Sequence, residues 1–268
     1  MGRLERALER MKHNEGELAP RHRGTPVPSR TPGRGAGSIG ANVSVTQLDR
    51  DILSRQRVLN ENTDARVRTA YKMLRTRVLQ RMRSNGWQSL AVTSAMPSDG
   101  KTLSAINLAI SLAGDVNHNV CLVDLDLRHS SIARCLGLES SVGASDCLRR
   151  EATLDEAIIK PDIDRLLLLP NLHTESNSSE LISSPEMNEI AQKLVLDDPQ
   201  RIVVYDMPPV LAADDMLAFA PFVDAVLFVV SEGETRQTDV MKARELLESV
   251  NIVGTVLNRS DVKTASYY

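Results

Sequence analysis

Apolar runs rich in β-branched residues recur along the chain at 88–93, 119–124, 164–169, 201–205, 224–230 and 252–257. Between most of them lie stretches long enough for a crossover helix: 102–114, 130–136, 186–196 and 235–249. Pro185 suits the start of the third, because a proline at the first helical position loses no hydrogen bond. Such alternation predicts an α/β fold, a mostly parallel sheet with helices on both faces. The crossovers should be right-handed, but strand order is not readable from the pattern.

Upstream the pattern is different. Residues 1–12 place Leu4, Ala7, Leu8 and Met11 on one helical face, suited to a short terminal or partner-docking helix. Residues 13–43 then lack large apolar side chains, and the first 43 residues hold 7 of the 14 glycines and 4 of the 12 prolines. Such a segment buries too little surface to offset its ordering entropy, so a flexible tether is expected. A short helix is expected within 46–59, around Leu48, Ile52 and Leu53. A longer one is expected from Asp64, as its cap, to Met82, with Val67, Tyr71, Leu74, Val78 and Met82 as its apolar stripe. Its other face carries Arg66, Arg68, Lys72, Arg75, Arg77, Arg81 and Arg83. That face is either solvated or a contact for an acidic neighbour or anionic lipid. The organisation read from this is a helix and linker over 1–43, the main α/β domain over 44–260 and a tail over 261–268.

Composition narrows the function. The net charge is -3, which gives no overall basic bias toward nucleic acid. Cys121, Cys135 and Cys147 show no C-x-x-C spacing and suit a reduced cytoplasm. No Cys-x5-Arg string exists, which removes the cysteine phosphatases. No apolar run approaches the ~18 residues a membrane span needs, and no signal-peptide core is visible. Any work at a membrane would require something else to hold the chain there.

The chemistry is expected at the strand ends, where parallel sheets bind ligands. The first strand runs into Ser94-Ala95-Met96-Pro97-Ser98-Asp99-Gly100-Lys101-Thr102-Leu103. A small-residue loop, Gly-Lys-Thr and a helix form the layout of a phosphate-binding P-loop, with Ala95 in place of the usual first glycine. Ser98 to Leu103 would cradle phosphates at the helix start, with Lys101 adding a point charge and Thr102 a hydroxyl for Mg²⁺. The second strand ends in Asp124-Leu125-Asp126-Leu127-Arg128, and another in Asp206-Met207-Pro208-Pro209. If the strands are parallel, Lys101, Asp124, Asp126 and Asp206 share one rim. Asp206 would support the metal. Of Asp124 and Asp126, which alternation would turn to the same side, one would hold the water of Mg²⁺ and the other would accept a hydroxyl proton. An Mg-ATP site for phosphoryl transfer follows.

The strings S-A-M-P-S-D-G-K-T, V-D-L-D-L-R and V-Y-D-M-P-P resemble the Walker A, A′ and B motifs of bacterial tyrosine kinases. These are autokinases of capsule and exopolysaccharide export. The similarity extends over about 64–268, including Gly233-Glu234-Thr235-Arg236 and Gly254 to Arg259, and is greatest to the separate kinases without a fused membrane part. The resemblance implies Asp124 as base for a tyrosine hydroxyl, Asp126 and Asp206 as Mg²⁺ residues, and Asn258 and Arg259 near the adenine. It implies trans phosphorylation of C-terminal tyrosines, and Tyr267 and Tyr268 are two of only 4 tyrosines in the chain. It also implies neighbouring kinase subunits, an activating membrane chain-length-determinant protein (a polysaccharide co-polymerase) and a cognate tyrosine phosphatase. The expected location is then cytoplasmic, at the inner membrane through that partner. One departure lies at Thr69, Lys72 and Arg75, where the family's E-x2-R-x2-R oligomerisation motif would fall without its glutamate.

Two other functions share the P-loop. A regulatory ATPase of the MinD/ParA kind would carry an extra lysine early in the loop, where this chain has Met96, and often ends in an amphipathic helix, whereas Asp261 to Tyr268 is short and polar. A nucleotide-binding adaptor would not need Lys101, Thr102 and three aspartates together. No H-R-D or D-F-G string marks a eukaryotic-type kinase.

Overall fold

The computed structural model describes residues 39–41 and 43–260. The terminal helix at 1–12, nearly all of the tether and the tail at 261–268 lie outside the described residues. Ile39, at the tether's far end, is buried, and its N–H donates to Asp197 Oδ2 at 3.0 Å.

In chain order the elements begin with β1 (Val45–Thr46), α1 (Arg50–Arg55), α2 (Ala65–Asn85), β2 (Ser89–Ser94), α3 (Lys101–Ala113) and β3 (Asn119–Asp124). Next come α4 (Ile132–Leu136), α5 (Ala144–Leu148), α6 (Leu154–Ala157), β4 (Lys160–Pro161), β5 (Leu166–Leu169), α7 (Ser178–Ile182) and α8 (Pro185–Leu196). The last are β6 (Arg201–Asp206), α9 (Asp215–Phe219), β7 (Ala225–Ser231), α10 (Gln237–Leu246) and β8 (Ile252–Asn258). All six expected strands form. They make one parallel sheet in the order β5-β3-β6-β2-β7-β8, with the P-loop strand β2 inside it.

One face of the sheet, with Leu90, Val92, Val120, Leu122, Val204 and Leu227, packs in one core with Val78 and Met82 of α2 and Ile106, Leu108 and Leu112 of α3. The alternate residue Tyr205 meets Phe219 of α9 edge to face, with ring centroids 4.7 Å apart. Both faces are therefore covered, and β2, β6 and β7 are buried along their whole length. Pro185 starts α8 behind a Ser184 cap, as the pattern requires.

Three expectations change. Only 50–55 of the 46–59 stretch is helical. Asp49 caps it early, and Val45–Thr46 instead pairs with Lys160–Pro161 as a parallel bridge. Asp64 does cap α2, but Val67 is exposed, so the buried stripe is confined to the second half of the helix. Part of the basic face acts as struts. Arg68, Arg75 and Arg81 donate to the backbone carbonyls of Glu61, Ser111 and Val253 at 2.8, 2.9 and 2.7 Å.

Candidate active site

The P-loop emerges from β2 into a tight arch. Ala95 is fully buried beneath the chain that follows β6, since Val210 and Leu211 donate to the carbonyls of Ser94 and Ala95. Left-handed backbone is needed at Ser98 (φ +68°) and Gly100 (φ +90°), not at Ala95, so alanine fits there without strain. A Cβ on Gly100 would come within 2.1 Å of Asn258 Nδ2, so any side chain here would push that amide off the Asp99 carbonyl. α3 begins immediately after Gly100, and no side chain caps it. Its first N–H groups are left to face a ligand.

The sheet brings the four expected charges together. Asp124 and Asp206 end neighbouring strands in direct register, while Asp126 lies past the end of β3 rather than on it. Lys101 Nζ is 2.6 Å from Asp126 Oδ2, 3.4 Å from Asp206 Oδ1 and 3.1 Å from Thr102 Oγ1. The Thr102 hydroxyl donates to Asp206 Oδ2 at 2.6 Å. Asp124 Oδ2 accepts the N–H groups of Ser131 and Ile132, both at 3.1 Å, and thereby caps α4. Its other oxygen, Oδ1, is buried without a hydrogen-bond partner.

Three buried carboxylates around one ammonium set the electrostatics. Burial works against charge on Lys101, but Asp206 and Asp126 outweigh it and hold its pKa above the ordinary value. Burial, followed by the repulsion of Asp206, pushes Asp124 up to about 8. Burial also raises Asp206, against the pull of Lys101. A carboxylate whose pKa is raised by folding binds more protons folded than unfolded. Its favourable contribution is complete below its unfolded value and is lost as pH climbs through the folded one. The melting temperature of the nucleotide-free protein should therefore fall between about pH 4 and about pH 8. A flat or rising profile would contradict this charge arrangement.

The donor set fits a magnesium ion. Mg²⁺ usually takes one or two carboxylates and completes its shell with water and substrate phosphates. The site offers Asp206, Asp126, the Thr102 hydroxyl and the orphaned Asp124 Oδ1. Among the described residues no three His, Cys, Asp or Glu side chains form a protein-only metal cage.

The other expected residues are placed as follows. Ser98, Asp99, Gly100 and Leu103 lie on the loop and first turn as expected, but the Asp99 carboxylate turns inward, onto Met96 N–H and the Thr235 hydroxyl. Asn258 and Arg259 reach the P-loop backbone, donating to the carbonyls of Asp99 and Ser98 at 2.9 Å each. Met96 is 41 % exposed. Tyr267 and Tyr268 lie outside the described residues. Sequence reasoning missed Ser178 and Asp215. Arg128 donates to Ser178 Oγ at 2.8 Å and lies 3.4 Å from the buried Asp215 carboxylate. Only the position of Arg128 just after the two aspartates hinted at this anchor. Burial pushes Cys121 up to about 12 and Cys147 to about 11, so neither thiol is poised as a nucleophile. Among the described residues no helix is long and apolar enough to cross a membrane.

A parallel sheet, a P-loop and three carboxylates at its rim define a P-loop nucleotide-binding protein. No protein-family model matches the chain. It is 28 % identical over 200 residues to tyrosine-protein kinase YwqD of Bacillus subtilis, covering 74 % of this chain and 83 % of the relative. Among solved structures, the VpsO kinase domain is 30 % identical with a TM-score of 0.64, covering 72 % of this chain and 96 % of that one. The chimerical protein CapA2B2 superposes with a TM-score of 0.70 at 26 % identity, covering 83 % and 96 %. The cell-division ATPase MinD of Pyrococcus furiosus has the same fold at a lower TM-score of 0.54 and 27 % identity, covering 65 % and 74 %. The chain belongs to the bacterial tyrosine kinases, of the CpsD/CapB type.

Proposed function

We propose that the protein is an ATP-dependent tyrosine autokinase of exopolysaccharide or capsule synthesis and export that phosphorylates Tyr267 and Tyr268 of a neighbouring copy. The observation that carries this reading is the convergence of Lys101, Thr102, Asp126 and Asp206 within 3.4 Å, beside an Asp124 oxygen with no other partner. The backbone from Ser98 to Leu103 would wrap the phosphates, and Lys101 would move from the carboxylates to the β- and γ-phosphates. Thr102, Asp126 and Asp206 would hold Mg²⁺, which supplies charge neutralisation on the phosphates. Asn258 and Arg259 would flank the adenine. Asp124 would take the proton of the tyrosine hydroxyl as its oxygen bonds to the γ-phosphorus. The bond from that phosphorus to the β-phosphate oxygen breaks, and ADP leaves. A carboxylate with a raised pKa accepts a phenol proton more readily than an ordinary one.

Met96 favours a kinase over a regulatory ATPase, because it stands exposed where that class carries its extra lysine. A role in polysaccharide export draws support from the succinoglycan biosynthesis transport protein ExoP of Rhizobium meliloti, 29 % identical over 185 residues. The matched region forms only 23 % of that longer protein. In this reading a separate membrane chain-length-determinant protein activates the kinase and holds it at the cytoplasmic side of the inner membrane. Copies of the chain associate, and a tyrosine phosphatase reverses the reaction.

Incubation with labelled Mg-ATP and the cytoplasmic end of a candidate membrane partner tests the reaction type. ADP together with phosphotyrosine is expected. ADP and free phosphate with no phosphotyrosine would replace the kinase by the ATPase.

A further inference from the structure

The P-loop is held in place by the turn that follows β7. Asp99 is only 2 % exposed, and its two oxygens have different partners. Oδ1 accepts the Thr235 hydroxyl at 2.7 Å, and Oδ2 accepts the Met96 N–H at 3.0 Å. Thr235 is itself fixed. Its Oγ1 accepts the Ser231 N–H at 2.8 Å, its own N–H donates to the Ser231 carbonyl at 3.0 Å, and Gly233 turns the chain with φ +77°. The contact spans 136 residues of sequence and joins the two strands beside each other in the middle of the sheet.

We propose that Thr235 is a positioning residue for the nucleotide, acting through Asp99 on the peptide groups of Ser98, Asp99 and Gly100. This rests on the reading of the P-loop as the nucleotide site. A buried carboxylate that loses a hydroxyl donor is driven toward water. Asp99 can reach water only by turning the arch that carries it. The arch has two residues with positive φ and is pinned from the β8 side by Asn258 on the Asp99 carbonyl. A change at Asp99 therefore alters the direction of the N–H groups in the cradle rather than being absorbed locally. Thr235 never touches the nucleotide in this scheme, so its loss should appear in binding and not in the chemical step.

The test uses the full chain and a fluorescent ADP analogue titrated without any acceptor or partner protein. Thr235→Val, equal in size but without a donor, should weaken binding about tenfold, the scale of one hydrogen bond to a charged group. Thr235→Ser keeps the hydroxyl and should bind within about twofold of wild type. In turnover, Thr235→Val should raise KM for ATP and leave kcat nearly unchanged. Asp99→Ala combined with Thr235→Val should bind no more weakly than Asp99→Ala alone, because both remove one contact. Wild-type affinity in Thr235→Val, additive losses in the double variant, or failure of the serine to restore binding would each overturn the proposal. If Thr235→Val fails to fold, the serine and Asp99→Ala variants decide it through their own affinities. Wild-type serine binding with weakened Asp99→Ala binding is expected, and equal affinity of both would overturn it. The outcomes remain distinct from those of the kinase reading. ADP binding without phosphotyrosine would overturn that reading alone, whereas no ADP binding by the wild type would overturn both.

Discussion

Lys101→Met is expected to reduce phosphoryl transfer by about 10²–10³-fold and to lower the melting temperature of the nucleotide-free protein at pH 8. The rate effect follows from removing the point charge that would meet the phosphates. The stability effect follows from geometry. Lys101 is the cation paired with Asp126 and Asp206, and Asp124 lies beside Asp206 in register. Without it, three buried carboxylates face one another, and breaking a buried pair by removing one partner commonly costs about 3–5 kcal/mol. Part of that cost disappears when Asp124 and Asp206, both raised by burial, take up protons, so the gap to wild type should close toward pH 5. Thermal melts at the two pH values, with a parallel phosphotyrosine assay, check both effects. An equal gap to wild type at pH 5 and pH 8 would mean that Lys101 does not compensate this cluster.

Asp124→Asn should lower tyrosine phosphorylation by about 10²–10⁴-fold while leaving affinity for ADP close to wild type. The asparagine oxygen can still accept the N–H groups of Ser131 and Ile132, so α4 keeps its cap. What disappears is a group able to take the phenol proton. One negative charge also leaves a crowded site, so the melting temperature at pH 8 should rise, opposite in sign to Lys101→Met. Labelling at the wild-type rate would remove Asp124 as the base. A large loss of ADP affinity would place it in nucleotide binding instead.

The sheet was legible because parallel strands buried on both faces must be written as continuous apolar runs. Val120 to Val123 and Ile202 to Tyr205 leave little room for another assignment. The P-loop and the aspartates after two strands were legible for a related reason, since polar residues following such runs fall at the ligand-binding rim. Short helices such as Ala144–Leu148, Leu154–Ala157, Ser178–Ile182 and Asp215–Phe219 were not visible. They are too short to show a helical period, and packing against larger elements specifies them. The same limit shortened the helix expected within 46–59. Asp99 reads in sequence as a polar loop residue beside the phosphates. Its partner Thr235 comes 136 residues later, and no local pattern encodes a bond over that distance. Arg201 shows the same point within a strand. It is almost fully buried, and only its bonds to Asp197 and to the Leu194 carbonyl explain why an arginine is tolerated there.

The most direct test of a kinase acting between copies mixes two variants, each defective in one half of the reaction. Asp124→Asn keeps the proposed acceptor tyrosines but lacks the proposed base. Tyr267→Phe/Tyr268→Phe keeps the active site but lacks the acceptors. With Mg-ATP and the cytoplasmic end of a candidate membrane partner present, mass spectrometry should find phosphate on Tyr267 and Tyr268 of the Asp124→Asn chain only in the mixture. If the mixture yields ADP with no phosphotyrosine on either chain, while the wild type behaves the same way, the protein is not a tyrosine autokinase.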